Sequence, residues 1–342
     1  MAFLKNDVNS DLVSYEGKRV VITGGLGFIG SNLARSLVEA GADVNLVDSL
    51  IPAYGGNLAN ISDLDQAVTV NECDVRDRYA MKQLLRASDF VFNLAGQTSH
   101  IDSMTDPQTD LAINTGAQIS ILESCCEVAP DCKIVFASTR QIYGRPQYLP
   151  VDEKHPINPV DANGINKWAG ESYHRLYADV YGLNTTVLRL TNTYGPGMRV
   201  KDARQTFLGI WIRRALEGKP FLVFGDGNQL RDFNFVDDVV DALLRAGSQE
   251  RATGKIYNLG GEEVVSLNEL ANLLTAIVPE SSFVLQPFPQ DRASIDIGDY
   301  HGSISAIKED LCWEPKVPLR EGLRKTVDYY REYREFYWEA EA

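Results

Sequence analysis

Closely spaced glycines near the start of the chain form the first pattern with a chemical use. An apolar run leads into Gly24, Gly27 and Gly30, with Phe28 and Ile29 between the last two. Glycines at this spacing permit positive φ, let the backbone approach phosphate oxygens, and seat a helix closely against the preceding strand. The N-terminus of that helix offers unpaired N–H groups to an anion. The pattern therefore predicts a strand, turn and helix that bind the pyrophosphate of a dinucleotide.

A carboxylate ends the next apolar run. Residues 44–48 have the pattern of a buried strand, and Asp48 lies at the separation from the glycines at which an acid meets the hydroxyls of an adenosine ribose. A carboxylate there would repel a 2′-phosphate, which favours NAD over NADP. The alternative is that Asp48 only caps a turn.

The elements that must position these residues alternate along the chain. Apolar strands separated by amphipathic helices continue to residue 190 and predict a doubly wound parallel sheet covered on both faces. From Thr191 the pattern changes to Gly-Pro turns and short strands, which predicts a smaller α/β lobe towards the C-terminus. We expect the first lobe to comprise residues 15–190 and about 234–252, and the second to comprise 191–233 and 253–342.

Composition excludes several classes of function. The 342 residues carry a formal charge of -14, which argues against a nucleic-acid partner, because such a surface needs a basic stripe. No apolar run reaches the length of a membrane span, and the first residues lack the apolar core of a signal peptide. We therefore expect a cytoplasmic protein without membrane contact. The five cysteines show no C-x-x-C spacing, so we expect buried free thiols and no metal site.

Three polar segments follow predicted strands. They are residues 93–100, 137–144 and 191–197. Ligands of parallel sheets bind at the carboxyl ends of the strands. We therefore expect these three segments to line one cleft.

Several short motifs occur in order along nearly the whole chain. Besides the glycine turn they are Cys73-Asp74-Val75-Arg76-Asp77, Asn93-Leu94-Ala95-Gly96, Ser138-Thr139 with Tyr143-Gly144, Asn192-Thr193-Tyr194-Gly195-Pro196, residues 225–233 and Leu311-Cys312-Trp313-Glu314-Pro315. Together they resemble the extended short-chain dehydrogenase/reductase family, specifically its NAD-dependent nucleotide-sugar epimerases and dehydratases.

The resemblance implies a Rossmann domain with bound NAD, a small lobe that binds a nucleoside diphosphate sugar, and a homodimer. The residues it places at the cofactor are Gly24, Gly27, Phe28, Ile29, Gly30, Asp48, Asp74, Val75, Leu94, Ala95, Gly96 and Lys167. The residues we expect at the substrate are His100, Asn192, Arg231 and Arg292.

The resemblance also implies a reaction centre, and there the chain departs from the family. The family uses Tyr-x-x-x-Lys, in which tyrosine exchanges a proton with the sugar hydroxyl and lysine binds the nicotinamide ribose. Lys167 and the hydroxyl residue Thr139 are in place, but Asn163 stands where tyrosine should be. An asparagine amide has no useful proton to exchange near neutral pH. We still count Asn163 with Thr139 and Lys167 as the catalytic positions.

Three explanations of Asn163 remain open. One is that another group carries the proton: His100, Asp161, Tyr143, Lys167, or water held by Asn163. The second is altered chemistry, and the third is a protein that binds its ligand without turnover.

The favoured function is a nucleotide-sugar epimerase similar to UDP-glucose 4-epimerase, which oxidises the sugar transiently and retains NAD. A nucleotide-sugar dehydratase is an alternative, although a 4,6-dehydratase would carry Asp-Glu after Thr139, where this chain has Arg140-Gln141. The segments 195–199 and 205–212 are similar to the CDP-sugar 2-epimerases, which stay an alternative. A non-catalytic nucleotide-sugar-binding protein is the alternative from another class.

Overall fold

Seven parallel strands form the central sheet of the computed structural model, which describes residues 15–64 and 66–338. The strands of the described residues are β1 (Arg19–Thr23), β2 (Asp43–Asp48), β3 (Val68–Glu72), β4 (Phe90–Asn93), β5 (Lys133–Thr139), β6 (Asn184–Leu190), β7 (Asn192–Tyr194), β8 (Phe221–Phe224), β9 (Leu230–Phe235), β10 (Ile256–Asn258), β11 (Val264–Ser266) and β12 (Phe283–Gln286).

The order of the large sheet is β10-β6-β5-β4-β1-β2-β3, with every neighbouring pair parallel. The chain winds from β1 to β3 in one direction and from β4 outwards in the other. The strand order therefore reverses between β1 and β4, which is where such sheets bind their ligands. In the smaller sheets, β9 pairs with β7 and β11, and β8 pairs with β12.

The helices of the described residues pack on both faces of the large sheet and against the smaller sheets. They are α1 (Phe28–Glu39), α2 (Arg78–Leu84), α3 (His100–Thr105), α4 (Pro107–Leu111), α5 (Ala117–Val128), α6 (Ala162–Tyr181), α7 (Phe207–Leu216), α8 (Val236–Ser248), α9 (Leu267–Ile277), α10 (Gln290–Ala293), α11 (Ser305–Leu311) and α12 (Leu319–Tyr333). A π-helical turn, Ala112–Gly116, joins α4 to α5, and single 3₁₀ turns lie at Leu58–Ile61, Arg140–Tyr143, Glu250–Ala252 and Arg334–Phe336.

The alternation of side chains along β1 divides the core. Val20 and Ile22 pack into the cluster on the α1 and α8 face, whereas Val21 packs into the cluster on the α5 face. Successive strand residues point to opposite faces, so an unbroken apolar run is needed where both faces are covered. The predicted Rossmann-type α/β fold is confirmed.

The structure departs in detail from two expectations. The expected boundary at residue 253 assigns β10 to the second lobe, but Ile256–Asn258 pairs with β6 of the large sheet. A strand of three residues is too short to stand out as an apolar run. Cys125 and Cys132 are buried, but Cys312 is exposed and Cys73 and Cys126 are only partly buried. The division into two lobes stays a prediction.

Candidate active site

The turn between β1 and α1 forms a cradle that only glycine fits. Gly24 has φ +71°, and a Cβ on Gly30 would lie 2.2 Å from the carbonyl oxygen of Gly24. Helix α1 begins after Gly27 without a side-chain cap, and its first turn has no acidic residue. Its first N–H groups can therefore receive the oxygens of a pyrophosphate. The residues present fit the dinucleotide that the sequence predicts.

The loop after β4 is held against this turn by Thr23. The Thr23 hydroxyl donates to Asn93 Oδ1 at 2.9 Å and accepts from the N–H groups of Leu94 and Ala95, each at 3.1 Å. These bonds join the ends of β1 and β4, where the strand order reverses. They explain why the segment after Asn93 lies beside the glycine turn.

Asp48 lies at the end of β2, as predicted, and lines the pocket. Its Oδ1 accepts from the N–H of Leu50 at 3.0 Å and its Oδ2 from the N–H of Leu26 at 3.2 Å. Burial raises the pKa of Asp48, and these backbone hydrogen bonds offset part of the rise. The carboxylate is thus fixed in place at the ribose end of the cradle.

Asp74 is the exception among the predicted cofactor residues. All the others line one pocket, but Asp74 does not. Its two oxygens accept hydrogen bonds from the guanidinium of Arg76, and this partner lowers the pKa of Asp74. The neighbouring Val75 lines the pocket instead.

Lys167 enters the same pocket from α6. Its Nζ donates to the carbonyl oxygen of Ala137 at 3.1 Å and lies 5.1 Å from the centre of the Phe136 ring. Burial lowers the pKa of Lys167 to about 8, and the charge of Asp110 offsets part of the shift. A Cβ on Gly96 would lie 2.8 Å from Nζ, so a larger residue there would displace the end of the lysine side chain.

Asn163 is buried beside a carboxylate that sequence reasoning missed. Its Nδ2 donates to the carbonyl oxygen of Gln97 at 2.7 Å and to Oδ2 of Asp110 at 3.1 Å. The other oxygen of Asp110 accepts from Nδ2 of Asn166 at 2.7 Å. Because the Gln97 carbonyl and the Asp110 carboxylate are both acceptors, the Asn163 amide atom that faces them is assigned as the nitrogen. Its Oδ1 accepts no hydrogen bond within the described residues and is left for a ligand.

His100 lies at the start of α3 and lines the pocket. Its Nδ1 is 2.9 Å from Oδ2 of Asp161, an ion-pair distance without the alignment of a full hydrogen bond. Asp161 caps α6 through the N–H of Gly164 at 2.7 Å and accepts from Nε2 of Gln141 at 3.1 Å. Burial raises the pKa of Asp161, but the contact with His100 and these hydrogen bonds outweigh burial, so the pKa is lowered.

Tyr143 lies outside the pocket, although the sequence left it open as a proton carrier. It is fully buried, donates to Oδ1 of Asn258 at 2.7 Å, and accepts from Nη1 of Arg189 at 2.6 Å. Burial raises the pKa of Tyr143 to about 12. A phenol with that pKa and these partners supports the fold and does not exchange protons with a ligand.

The predicted substrate residues are only partly brought together. Thr139 and Asn192 line the pocket with His100. Arg231 does not line it, and its Nη1 donates to the carbonyl oxygens of Leu230 and Gly298. Arg292 lies in α10, and its side chain is outside the described part of the structure.

Sequence reasoning gave Asn114 no role and included Arg140 only as part of the segment 137–144 that was expected to line the cleft. Asn114 lies in the π-helical turn and donates to the carbonyl oxygen of Gln97 at 2.9 Å, while its buried Oδ1 has no partner within the described residues. Arg140 follows Thr139 and lines the pocket. The sequence around Asn114 has no pattern that predicts a π-helical turn. Whether Arg140 has an ion-pair partner depends on contacts between segments that are far apart in the chain.

Other kinds of site find no support in the described residues. None of their helices is both long and apolar enough to cross a membrane. Within the same residues, no group of three or more His, Cys, Asp or Glu side chains is placed to hold a metal ion.

A doubly wound sheet whose glycine turn, acid at the end of β2 and buried lysine line one pocket defines an NAD-dependent enzyme of the short-chain dehydrogenase/reductase type. Residues 20–260 match the sequence model of the NAD dependent epimerase/dehydratase family. The chain belongs to this family, which confirms the predicted family, enzyme class and cofactor.

Individual relatives cover nearly the whole chain. UDP-glucose 4-epimerase of Mycolicibacterium smegmatis is 31% identical over 319 residues, which cover 92% of this chain and 98% of the relative. An epimerase structure from Methanothermobacter thermautotrophicus is 27% identical, with TM-score 0.90 over 98% of each chain. The UDP-glucose 4-epimerase of Thermotoga maritima, solved with UDP-glucose, is 32% identical with TM-score 0.84, over 92% of this chain and 99% of its own.

Proposed function

We propose that the protein is a nucleotide-sugar epimerase that oxidises the sugar transiently and retains its NAD. The observation that carries this proposal is the single pocket shared by the dinucleotide cradle, Lys167, Thr139, His100 and Asn192. Relatives named as UDP-glucose 4-epimerases cover nearly the whole chain and support the same activity. Bound NAD supplies the acceptor and the donor of the hydride.

The chain's own residues orient the sugar. Thr139 ends β5 with its Oγ1 accepting from the N–H of Gln141 at 3.3 Å, which leaves its proton free to bond a sugar oxygen. Oδ1 of Asn163 accepts a hydrogen bond from a sugar hydroxyl. Lys167 donates to ribose hydroxyls while the carbonyl of Ala137 holds it.

His100 takes the place of the missing tyrosine as proton acceptor. An imidazole whose Nδ1 faces the Asp161 carboxylate presents Nε2 as a base, and the carboxylate stabilises the imidazolium that forms. Of the other proton carriers left open, Tyr143 and Asp161 do not line the pocket. Lys167 is engaged with the carbonyl of Ala137. His100 is the candidate both exposed to the pocket and paired with a carboxylate.

Dehydration is disfavoured because no Asp-Glu pair follows Thr139; the pocket there is lined by Arg140 and Gln141. Incubation of the purified protein with UDP-, GDP-, CDP- and dTDP-hexoses, followed by NMR of the sugars, tests the proposal. We expect one nucleotide sugar to give its epimer without added NAD. Saturable binding in calorimetry with no product from any sugar would make the protein a non-catalytic binder, and a 2-epimer would place it with the CDP-sugar enzymes.

A further inference from the structure

Arg140 is a cation at the pocket with most of its hydrogen-bonding capacity unused. It follows Thr139 directly, at the carboxyl end of β5, and it lines the pocket. Its Nη2 donates to Oδ1 of Asn192 at 3.1 Å. Its Nη1 is shielded from solvent and has no hydrogen-bond partner within the described residues. A guanidinium has five N–H donors, and this one gives only a single hydrogen bond to the described residues.

No carboxylate of the described residues forms an ion pair with Arg140. The nearby Asp232 is buried and engaged elsewhere: its Oδ1 accepts from the Thr191 hydroxyl at 2.6 Å, and its Oδ2 accepts from the N–H of Gly302 at 3.1 Å. The contrast within this chain is Arg189, whose buried guanidinium pairs with Glu171. The charges of Asp232 and Asp296 act on Arg140, but neither carboxylate forms an ion pair with it, so its unused N–H donors are available to an anion.

The surroundings of Arg140 include an aromatic ring and a second arginine. The guanidinium lies 4.9 Å from the centre of the Tyr300 ring, a distance typical of a cation–π contact. Burial, and then the charge of Arg140, lower the pKa of Arg231 to about 10, so a second cation is close by. Asp232 and Asp296 act on both guanidinium groups, so the two arginines are partly balanced, but Arg140 is the cation of this cluster that lines the pocket.

The position of Arg140 indicates which part of a ligand it meets. It is adjacent to Thr139, the residue that would bond the reacting oxygen of the sugar. Arg231, by contrast, lies outside the pocket lining and spends its Nη1 on backbone carbonyls. A carboxylate on a sugar bound beside Thr139 would therefore lie within reach of Arg140. The planar fork of a guanidinium matches the two oxygens of a carboxylate.

We propose that Arg140 binds a carboxylate on the sugar of the substrate, so that the enzyme acts on a nucleoside diphosphate uronic acid or a similar acidic sugar. This inference rests on the proposed function for the place of the sugar in the pocket. It goes further in naming the class of sugar and the residue that selects it.

Calorimetry of the NAD-loaded protein with UDP, UDP-glucose and UDP-glucuronate tests the inference. We expect the wild-type protein to bind UDP-glucuronate at least tenfold more tightly than UDP-glucose. Arg140→Gln should weaken UDP-glucuronate binding about 10- to 100-fold, as expected for a lost charge-assisted bidentate contact. It should change the affinity for UDP and UDP-glucose less than threefold.

Two further variants control for folding and for charge. Arg140→Lys keeps the charge without the fork and should recover part of the lost affinity. Arg204→Gln removes an exposed arginine that pairs with Asp102 and should leave the preference for UDP-glucuronate intact.

Two results would overturn the inference. One is a wild-type protein without preference for the acidic sugar. The other is an Arg140→Gln variant that loses affinity for UDP as much as for UDP-glucuronate, which would assign Arg140 to the diphosphate. A wild-type protein that prefers UDP-glucuronate in the predicted way but gives no product from any sugar would overturn the epimerase proposal and leave the role of Arg140 standing.

Discussion

Asn163 has an acceptor oxygen, Oδ1, that is unused within the described residues, at the position where the resemblance predicts a tyrosine hydroxyl. Its amide nitrogen is committed to Gln97 and Asp110, so the amide cannot turn round without leaving a buried carboxylate short of a donor. Leaving such a group unpaired costs about 1–3 kcal/mol or more. The side chain can therefore position a hydroxyl, and the proton must go to another group.

His100→Gln tests which group takes that proton. Glutamine keeps a polar side chain but cannot accept a proton, so we expect kcat to fall about 10²- to 10⁴-fold, the usual contribution of a general base. The affinity for UDP in calorimetry should stay within threefold. Asp161→Asn is the matched control for orientation: its Oδ1 can still cap α6, but the charge beside Nδ1 is lost. We expect a smaller loss of kcat than in His100→Gln, whereas an unchanged kcat in His100→Gln would rule out the histidine.

Lys167→Met tests the burial of the lysine ammonium. The pKa of Lys167 is lowered from 10.5 to about 8, so the cofactor-free folded state bears the full cost of burying a cation below about pH 8. Between pH 8 and 10.5 the folded state loses its proton before the unfolded state does, and stability rises. At pH 7 we expect Lys167→Met to be more stable by about 3 kcal/mol in urea unfolding.

That difference should shrink towards zero as the pH approaches 10.5, and the variant should bind NAD more weakly. A difference in unfolding free energy that stays constant from pH 7 to 10.5 would contradict the buried-ammonium account.

At the scale of elements, helix α6 holds Asn163 and Lys167 at the site and also contains a buried histidine, His174, that packs the helix against the sheet. His174 lies two turns beyond Lys167, stacks on Phe136 with ring centres 4.2 Å apart, and its Nδ1 is 2.8 Å from the carbonyl oxygen of Gly170. Burial, with a smaller contribution from the charge of Lys167, lowers the pKa of His174 from 6.5 to about 4. This histidine is neutral in the folded protein and keeps the helix against β5.

His174→Gln should therefore reduce the fall in the free energy of unfolding that occurs as the pH decreases. The unfolded state binds a proton at this histidine below about pH 6.5, and the folded state binds it only near pH 4, so wild-type stability falls across this window by about 3 kcal/mol. Urea unfolding at several pH values between 4 and 7 should show a smaller fall for His174→Gln. Equal slopes for the two proteins would show that His174 does not titrate in this way.

Local patterns predicted the elements well, and contacts between distant segments account for what they missed. The glycine turn, Asp48 and Lys167 each belong to a short motif with its own geometry, and the structure places them in one pocket. The partners of Asp110 lie 53 and 56 residues away. The unpaired state of Arg140 depends on Asp232 bonding to other groups. A local sequence pattern predicts neither the partners of Asp110 nor the lack of an ion-pair partner at Arg140 among the described residues.

At the scale of the whole molecule, the two-lobed division, the homodimer and the cytoplasmic location stay predictions. Exposed apolar side chains on α6 support the homodimer, because an apolar face on a long surface helix is typical of an interface. They are Ile165, Trp168, Leu176, Val180 and Tyr181.

The most direct test of the account follows a hydrogen label through the reaction. The nucleotide sugar that the protein converts is prepared with deuterium at C4 and incubated with the NAD-loaded enzyme, and the product is examined by NMR. Transient oxidation with retained NAD predicts a C4 epimer that keeps the deuterium at C4, because the same hydride is returned to the opposite face. An epimer whose C4 hydrogen comes from solvent, or a bound sugar that never reacts, would contradict it.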